Sequence, residues 1–153
     1  MKKILLLTML VLGCFAMQAQ ELKWHTDVKE AIAIGNKEKK PLLMFFTGSD
    51  WCGWCIRLQK EVLKTPEFEK WAKANVILVE LDYPRRTAQT PEIKQQNGEL
   101  QQAFSIQGFP TICFANGTNK DGKVNFEGLG TTGYVAGGPT AWLEVANGIL
   151  KKK

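Results

Sequence analysis

The chain is poor in the residues that metal and haem sites require. Its 153 residues hold one histidine, His25, and four cysteines, Cys14, Cys52, Cys55 and Cys113. Around the Cys52–Cys55 pair the other candidate zinc ligands are Cys113 and His25, and neither has a paired spacing, so no metal site is expected. Covalent haem attachment needs a histidine directly after the second cysteine of such a pair, and Ile56 stands there. No other cofactor is called for. The chain also lacks an internal repeat, a low-complexity tract and an apolar run long enough to span a bilayer comfortably. A net charge of +5 is too small an excess to imply a nucleic-acid partner. What remains is an ordinary globular composition, 44% hydrophobic and 23% charged, with length for one domain and its core.

The first residues are set apart from that domain. Met1-Lys2-Lys3 is a basic start, Ile4 to Leu12 is almost wholly apolar, and AMQAQ follows. This is the layout of a secretory signal, with cleavage expected after Ala19, so that residues 1–19 are the signal and 20–153 the domain. Loss of Lys2 and Lys3 takes the 20 basic side chains to 18, against 15 acidic ones. A rival processing site is Val11-Leu12-Gly13-Cys14, which resembles a bacterial lipoprotein cleavage site with an atypical Leu12. Lipidation of Cys14 would anchor the protein to a membrane. Either route places the chain in the periplasm or outside the cell. The three cysteines left after removal of Cys14 are an odd number. That is no disulfide framework; it fits one reactive pair and one buried bystander, Cys113.

Periodicity and turn signals order the rest. Asp27 and Glu30 form a capping box, and Val28, Ala31, Ile32 and Gly35 fall on one face of a helix over 28–39. PLLMFF, from Pro41, is a continuous apolar run of the kind buried on both faces of a sheet. Cys55, Leu58 and Val62 share a face of a helix beginning near Gly53. Two TPE triplets, at Thr65 and Thr90, cap further helices. VILVELD (76–82) and PTICFA (110–115) are strands. Asn116-Gly117 and Asp121-Gly122 are turn signals, and VNFEG pairs antiparallel with the strand before it. A last helix starts near Pro139, with Trp142, Val145 and Ile149 on one face. Helices alternating with buried strands predict an α/β domain whose first two strands are parallel: a central mixed sheet of about four to five strands flanked by helices on both faces.

The stretch SDWCGWC (49–55) carries the chemistry. At the end of a strand and the mouth of a helix, Cys52 would meet unpaired N–H groups and the positive end of the helix dipole. Both stabilise a thiolate and lower the thiol pKa from its free value of about 8.5. Cys55, one turn on, has the spacing to close a small disulfide ring and lies on the apolar face of the helix. Cys52 should therefore attack and Cys55 resolve. An inert structural disulfide is the bland alternative, disfavoured because so tight a loop gains little stability.

PLLMFFTGSDWCGWC, with RLQKEV beyond it, resembles the active-site strand, loop and helix of thioredoxin-fold proteins, most of all exported thioredoxin-like domains with a WCxWC-type site. QGFPTICF, with its proline about fifty-five residues past Cys55, resembles the Gly-x-Pro-Thr segment of that family. The resemblance covers most of residues 21–150 and implies a thioredoxin-like fold, a cis bond before Pro110, and a backbone at Phe109 and Pro110 that faces the cysteines and pairs with an extended substrate.

Three departures stand out. Gly53-Trp54 replaces Gly-Pro inside the motif, and CxxC proteins span roughly −270 to −120 mV, so the direction of electron flow stays open. Met44 stands where thioredoxins carry a buried aspartate, which leaves Glu80, the charge inside VILVEL, as the candidate proton group for Cys55 or else a solvent-facing strand-edge residue. The stretch RRTAQTPEIKQQNGE lengthens the connection before Pro110. Trp51 and Trp54 flank the nucleophile, Trp54 as an exposed contact surface. Trp24, Trp71 and Trp142 are expected to pack, and His25 to lie at the surface. The expected protein is an exported, monomeric thiol–disulfide oxidoreductase working through Cys52 and Cys55 on protein thiols and disulfides, with an unknown upstream redox partner. The alternative is a thioredoxin-fold binding module, a chaperone or metallochaperone without redox turnover.

Overall fold

The computed structural model describes residues 22–151. The expected signal, its cleavage site and Cys14 lie outside that range. Five strands form one mixed sheet. In chain order the elements are β1 (Trp24–His25), α1 (Val28–Glu38), β2 (Leu42–Thr47), α2 (Gly53–Leu58) continued by a π-helical turn (Gln59–Leu63), α3 (Pro66–Asn75), β3 (Ile77–Asp82), α4 (Pro91–Ala103), β4 (Thr111–Lys120), β5 (Lys123–Thr132) and α5 (Gly138–Leu150). The strand order is β1-β3-β2-β4-β5. β1, β3 and β2 run parallel, while β4 is antiparallel to β2 and β5 to β4.

The central strand β2, LLMFFT, is buried along its whole length. Its alternate side chains feed two cores, as strand geometry requires. Leu43 and Phe45 face α2, α3 and α5, where they meet Cys55, Leu58, Phe68 and Trp142. Leu42, Met44 and Phe46 face α1 and α4, where they meet Ile32, Val79, Leu100 and Cys113. Helices thus cover both faces, which explains why β2 reads as an unbroken apolar run.

The helix starts follow their caps. Asp27 accepts from the N–H groups of Lys29 and Glu30, but the Glu30 side chain turns to Lys23 and His25 and leaves the box half made. Thr65 and Thr90 cap α3 and α4 through the N–H groups of Phe68 and Ile93. The expected face of α1 is the buried one.

Three local expectations need correction. Asn116-Gly117 is no turn: both residues lie inside β4, and the chain reverses at Asp121-Gly122. Gly117 is there because α1 lies against it; a Cβ would sit 2.5 Å from Ile32 Cγ1. The buried face of α5 is Trp142 and Ala146, with Val145 turned outward. His25 is buried, because β1 adds to the sheet beside β3. The two-residue β1 is too short to show a period in the sequence. Cys113 is a core residue as expected, and burial pushes its thiol up to about 11.

Gly117→Ala should destabilise the protein by about 1–3 kcal/mol through overpacking against Ile32. Gly128→Ala, on the facing strand where a Cβ meets nothing within 4 Å, should be close to neutral. Urea unfolding of both variants tests the contrast.

Candidate active site

Cys52 is the N-cap residue of α2. Its extended backbone (φ −87°, ψ 101°) ends the loop from β2, and its Sγ accepts the N–H of Cys55 at 3.2 Å. The loop is tied back on itself, with Cys52 N–H donating to the Gly48 carbonyl at 2.8 Å. Gly48 admits no side chain, because a Cβ would fall 2.4 Å from the Trp51 ring. Cys52 and Cys55 are joined by a disulfide with their Cα atoms 5.2 Å apart. The two sulfurs are not equivalent: Cys55 has no exposed surface, whereas Cys52 retains 6%. The Phe109–Pro110 peptide is cis. The Phe109 ring stands edge-on to Trp51 at 5.9 Å and stacks on Tyr83 at 5.0 Å, so this segment lies beside the motif.

Residues 28–131 match the family described as thioredoxin-like domain. This chain belongs to the thioredoxin-like family. Over 119 residues it is 36% identical to the disulfide bond reductase DsbH of Chlamydia pneumoniae, a match covering 77% of this chain and 71% of that protein. A solved structure of a DsbH oxidoreductase aligns with a TM-score of 0.76 at 32% identity, covering 86% of each chain. A thioredoxin from Thermus thermophilus aligns with a TM-score of 0.60 over 86% of this chain and 88% of its own, but at 20% identity that is a likeness of fold alone. With its cysteine pair at disulfide distance, this thioredoxin-like protein is a thiol–disulfide oxidoreductase.

The remaining sequence candidates fall around that pair. Trp51 is partly buried, and its indole N–H donates to the Tyr83 carbonyl at 2.7 Å. Trp54 is exposed, at 55%, with its ring 5.1 Å from Tyr134. A Cβ at Gly53 would meet nothing within 4 Å, so space does not demand glycine there. Met44 is not the residue beneath the disulfide, because it points into the α1–α4 core. On the disulfide side of β2 the position belongs to Phe45, whose partner across β3 is Glu80. β3 pairs with β2 along its whole length but with β1 only at Leu78 and Val79, and Glu80 is half-buried. Strand alternation puts Glu80 on the same sheet face as Leu78 and the cysteines. Its carboxyl is held above the ordinary value of 4.5, chiefly by burial and then by the charge of Asp82, against a smaller opposing pull from Lys64.

Several further residues brace the site, among them Ser49 and Asp50, which by sequence are simply loop and cap residues. Asp82 accepts from both the N–H and the hydroxyl of Ser49. Asp50 accepts from the N–H groups of Arg85 (3.0 Å) and Arg86 (2.7 Å), which holds its carboxyl below the usual range and fastens the long connection to the motif. Gln89 and the buried Asn97 both donate to the Asp82 carbonyl. On the other flank Glu61 accepts from Arg57 and from the Tyr134 hydroxyl. The Tyr134 bond, and then the Arg57 bond, keep the Glu61 carboxyl low; the bond to Glu61 keeps the Tyr134 phenol high against an opposing pull from Arg57. Apart from the Arg57–Glu61 pair at i, i+4, these contacts join residues seven to seventy-three positions apart, so spacing carried no signal for them; the polar cluster SD before WC was their only hint.

Folded protein holds the Glu80 proton more tightly than the unfolded chain does. That contribution is fully present below pH 4.5 and is lost as pH rises through the raised value. Glu80→Gln should therefore gain stability relative to the parent between pH 4 and pH 7, by about 1 kcal/mol or less for so partly exposed a group. Urea unfolding of both proteins at the two pH values measures the difference.

Proposed function

We propose that the protein is an exported disulfide reductase in which Cys52 is the nucleophile and Cys55 the resolving thiol. The observation that carries this assignment is the Cys55 N–H directed at the Cys52 sulfur, with Cys55 itself sealed in the core. A helix mouth favours the anion on Cys52, and burial disfavours it on Cys55. In the reduced protein the Cys52 thiolate attacks one sulfur of a substrate protein disulfide. That bond breaks, its second sulfur leaves as a thiolate with the electron pair, and a Cys52–substrate disulfide forms. Cys55 then loses its proton and attacks the Cys52 sulfur, and the substrate's remaining sulfur departs as a thiolate. The substrate has gained two electrons, and Cys52–Cys55 is oxidised. A separate thiol donor must restore the pair.

Phe109 and Pro110 serve as the ledge for the substrate chain, a role supported by the packing of Phe109 against Trp51. Trp54 adds exposed apolar contact at the motif. Glu80 relays the Cys55 proton, which accords with its raised pKa and its place on the disulfide's side of the sheet. The reducing direction is supported by the name of the Chlamydia relative, a disulfide bond reductase. The basic, apolar and small-residue order of the first nineteen residues supports export, to the periplasm or beyond.

The protein should accelerate reduction of insulin by dithiothreitol, and Cys52→Ser should return the rate to that of dithiothreitol alone. No acceleration would leave a binding module without turnover, and full acceleration by Cys52→Ser would refute Cys52 as the nucleophile. Equilibration with glutathione tests the direction: a potential near −270 mV fits a reductase, and one near −120 mV contradicts it.

A further inference from the structure

Both tryptophans of the cysteine motif, Trp51 and Trp54, carry an arginine against their rings, and the two stacks differ in charge balance. On the α2 side the Arg57 guanidinium lies 5.2 Å from the Trp54 ring centre and 5.1 Å from that of Tyr134. Its Nε donates to Glu61 at 2.7 Å, so a carboxylate opposes it. On the other side the Arg85 guanidinium lies 3.8 Å over Trp51, the residue immediately before Cys52. Arg85 and Arg86 are both exposed, and among the described residues neither forms an ion pair with an acidic side chain. Asp50 commits its two oxygens to their backbone N–H groups. Asp50 is the one carboxylate bonded to this loop, through its backbone, and the two exposed arginines give the loop beside Trp51 an excess of positive charge.

We propose that Arg85 and Arg86 form an anion-recognising rim, which takes a carboxylate side chain placed next to the disulfide of a protein substrate. The stack covers one face of the Arg85 guanidinium and leaves its N–H edge open, the geometry that pairs with a carboxylate. Asp50 and Gln89 already fix the backbone of this loop, which lowers the ordering cost of binding. Because Trp51 adjoins Cys52, an acidic side chain within a residue or two of the attacked cysteine lies in reach. The rim would steer and hold acidic substrates and repel basic ones. This rests on the exchange at Cys52 proposed above.

Three synthetic peptides test it. They carry the same internal disulfide and differ only in the residue beside the attacked cysteine: Glu, Gln or Lys. The rate at which each oxidises the reduced protein is divided by its rate with dithiothreitol, which removes intrinsic reactivity. The normalised rates should fall in the order Glu, Gln, Lys, with a spread of about three- to tenfold at low salt. High salt should shrink the spread, and the double variant Arg85→Gln/Arg86→Gln should abolish it. Equal normalised rates, a spread insensitive to salt, or a spread that survives in the variant overturns the inference. No exchange with any peptide overturns the Cys52 reaction itself, and the rim with it; exchange without a spread overturns the rim alone.

Discussion

One N–H···S contact, from Cys55 to Cys52 across 3.2 Å, organises the active site. It makes a sulfur the cap of a helix, in the place where serine, threonine or aspartate usually stands. An oxygen cap only satisfies a backbone donor. A sulfur there also gains a preference for its charged form, since helix N-termini favour negative charge. The same turn of helix that presents this donor carries the second sulfur inward, to a position with no exposed surface. Asymmetry between the two cysteines therefore follows from backbone geometry and needs no charged neighbour in contact.

The rest of the domain holds that turn in place. β2 is buried on both faces and delivers the loop; Gly48 lets the Trp51 ring fold back over it. Ser49 is pinned to Asp82 at the end of β3, and Asp50 fastens the Arg85–Arg86 connection. Trp51 is tied to the Tyr83 carbonyl, and Tyr83 to the Asn97 carbonyl in α4. The long connection after β3 is thus tied to the motif through Asp50, and its Arg85 stacks over Trp51.

Much of this was legible in the sequence where one residue type answers one local demand. The apolar run of β2, the capping threonines and the face of α1 are such cases, and so is the spacing of Cys52 from Cys55. Readings failed where packing between distant elements decides. Asn116-Gly117 carries turn chemistry, yet Ile32 requires a residue without a side chain in the middle of a strand. His25 is polar, but the sheet buries it. Met44 and Phe45 are both apolar in a run without alternation, so nothing local told which of them faces the cysteines. The Asp50 and Asp82 contacts, and the Tyr134–Glu61 bond that spans seventy-three positions, leave no periodic trace.

The central claim is that Cys52 is the anionic sulfur and Cys55 its sheltered partner. Alkylation of the reduced protein with iodoacetamide at slightly acidic pH, with the sites read by mass spectrometry, tests it most directly. Cys52 should be modified first and well ahead of an ordinary thiol, whose pKa is about 8.5, while Cys55 stays unmodified. Equally slow modification of both cysteines, or faster modification of Cys55, would contradict the account.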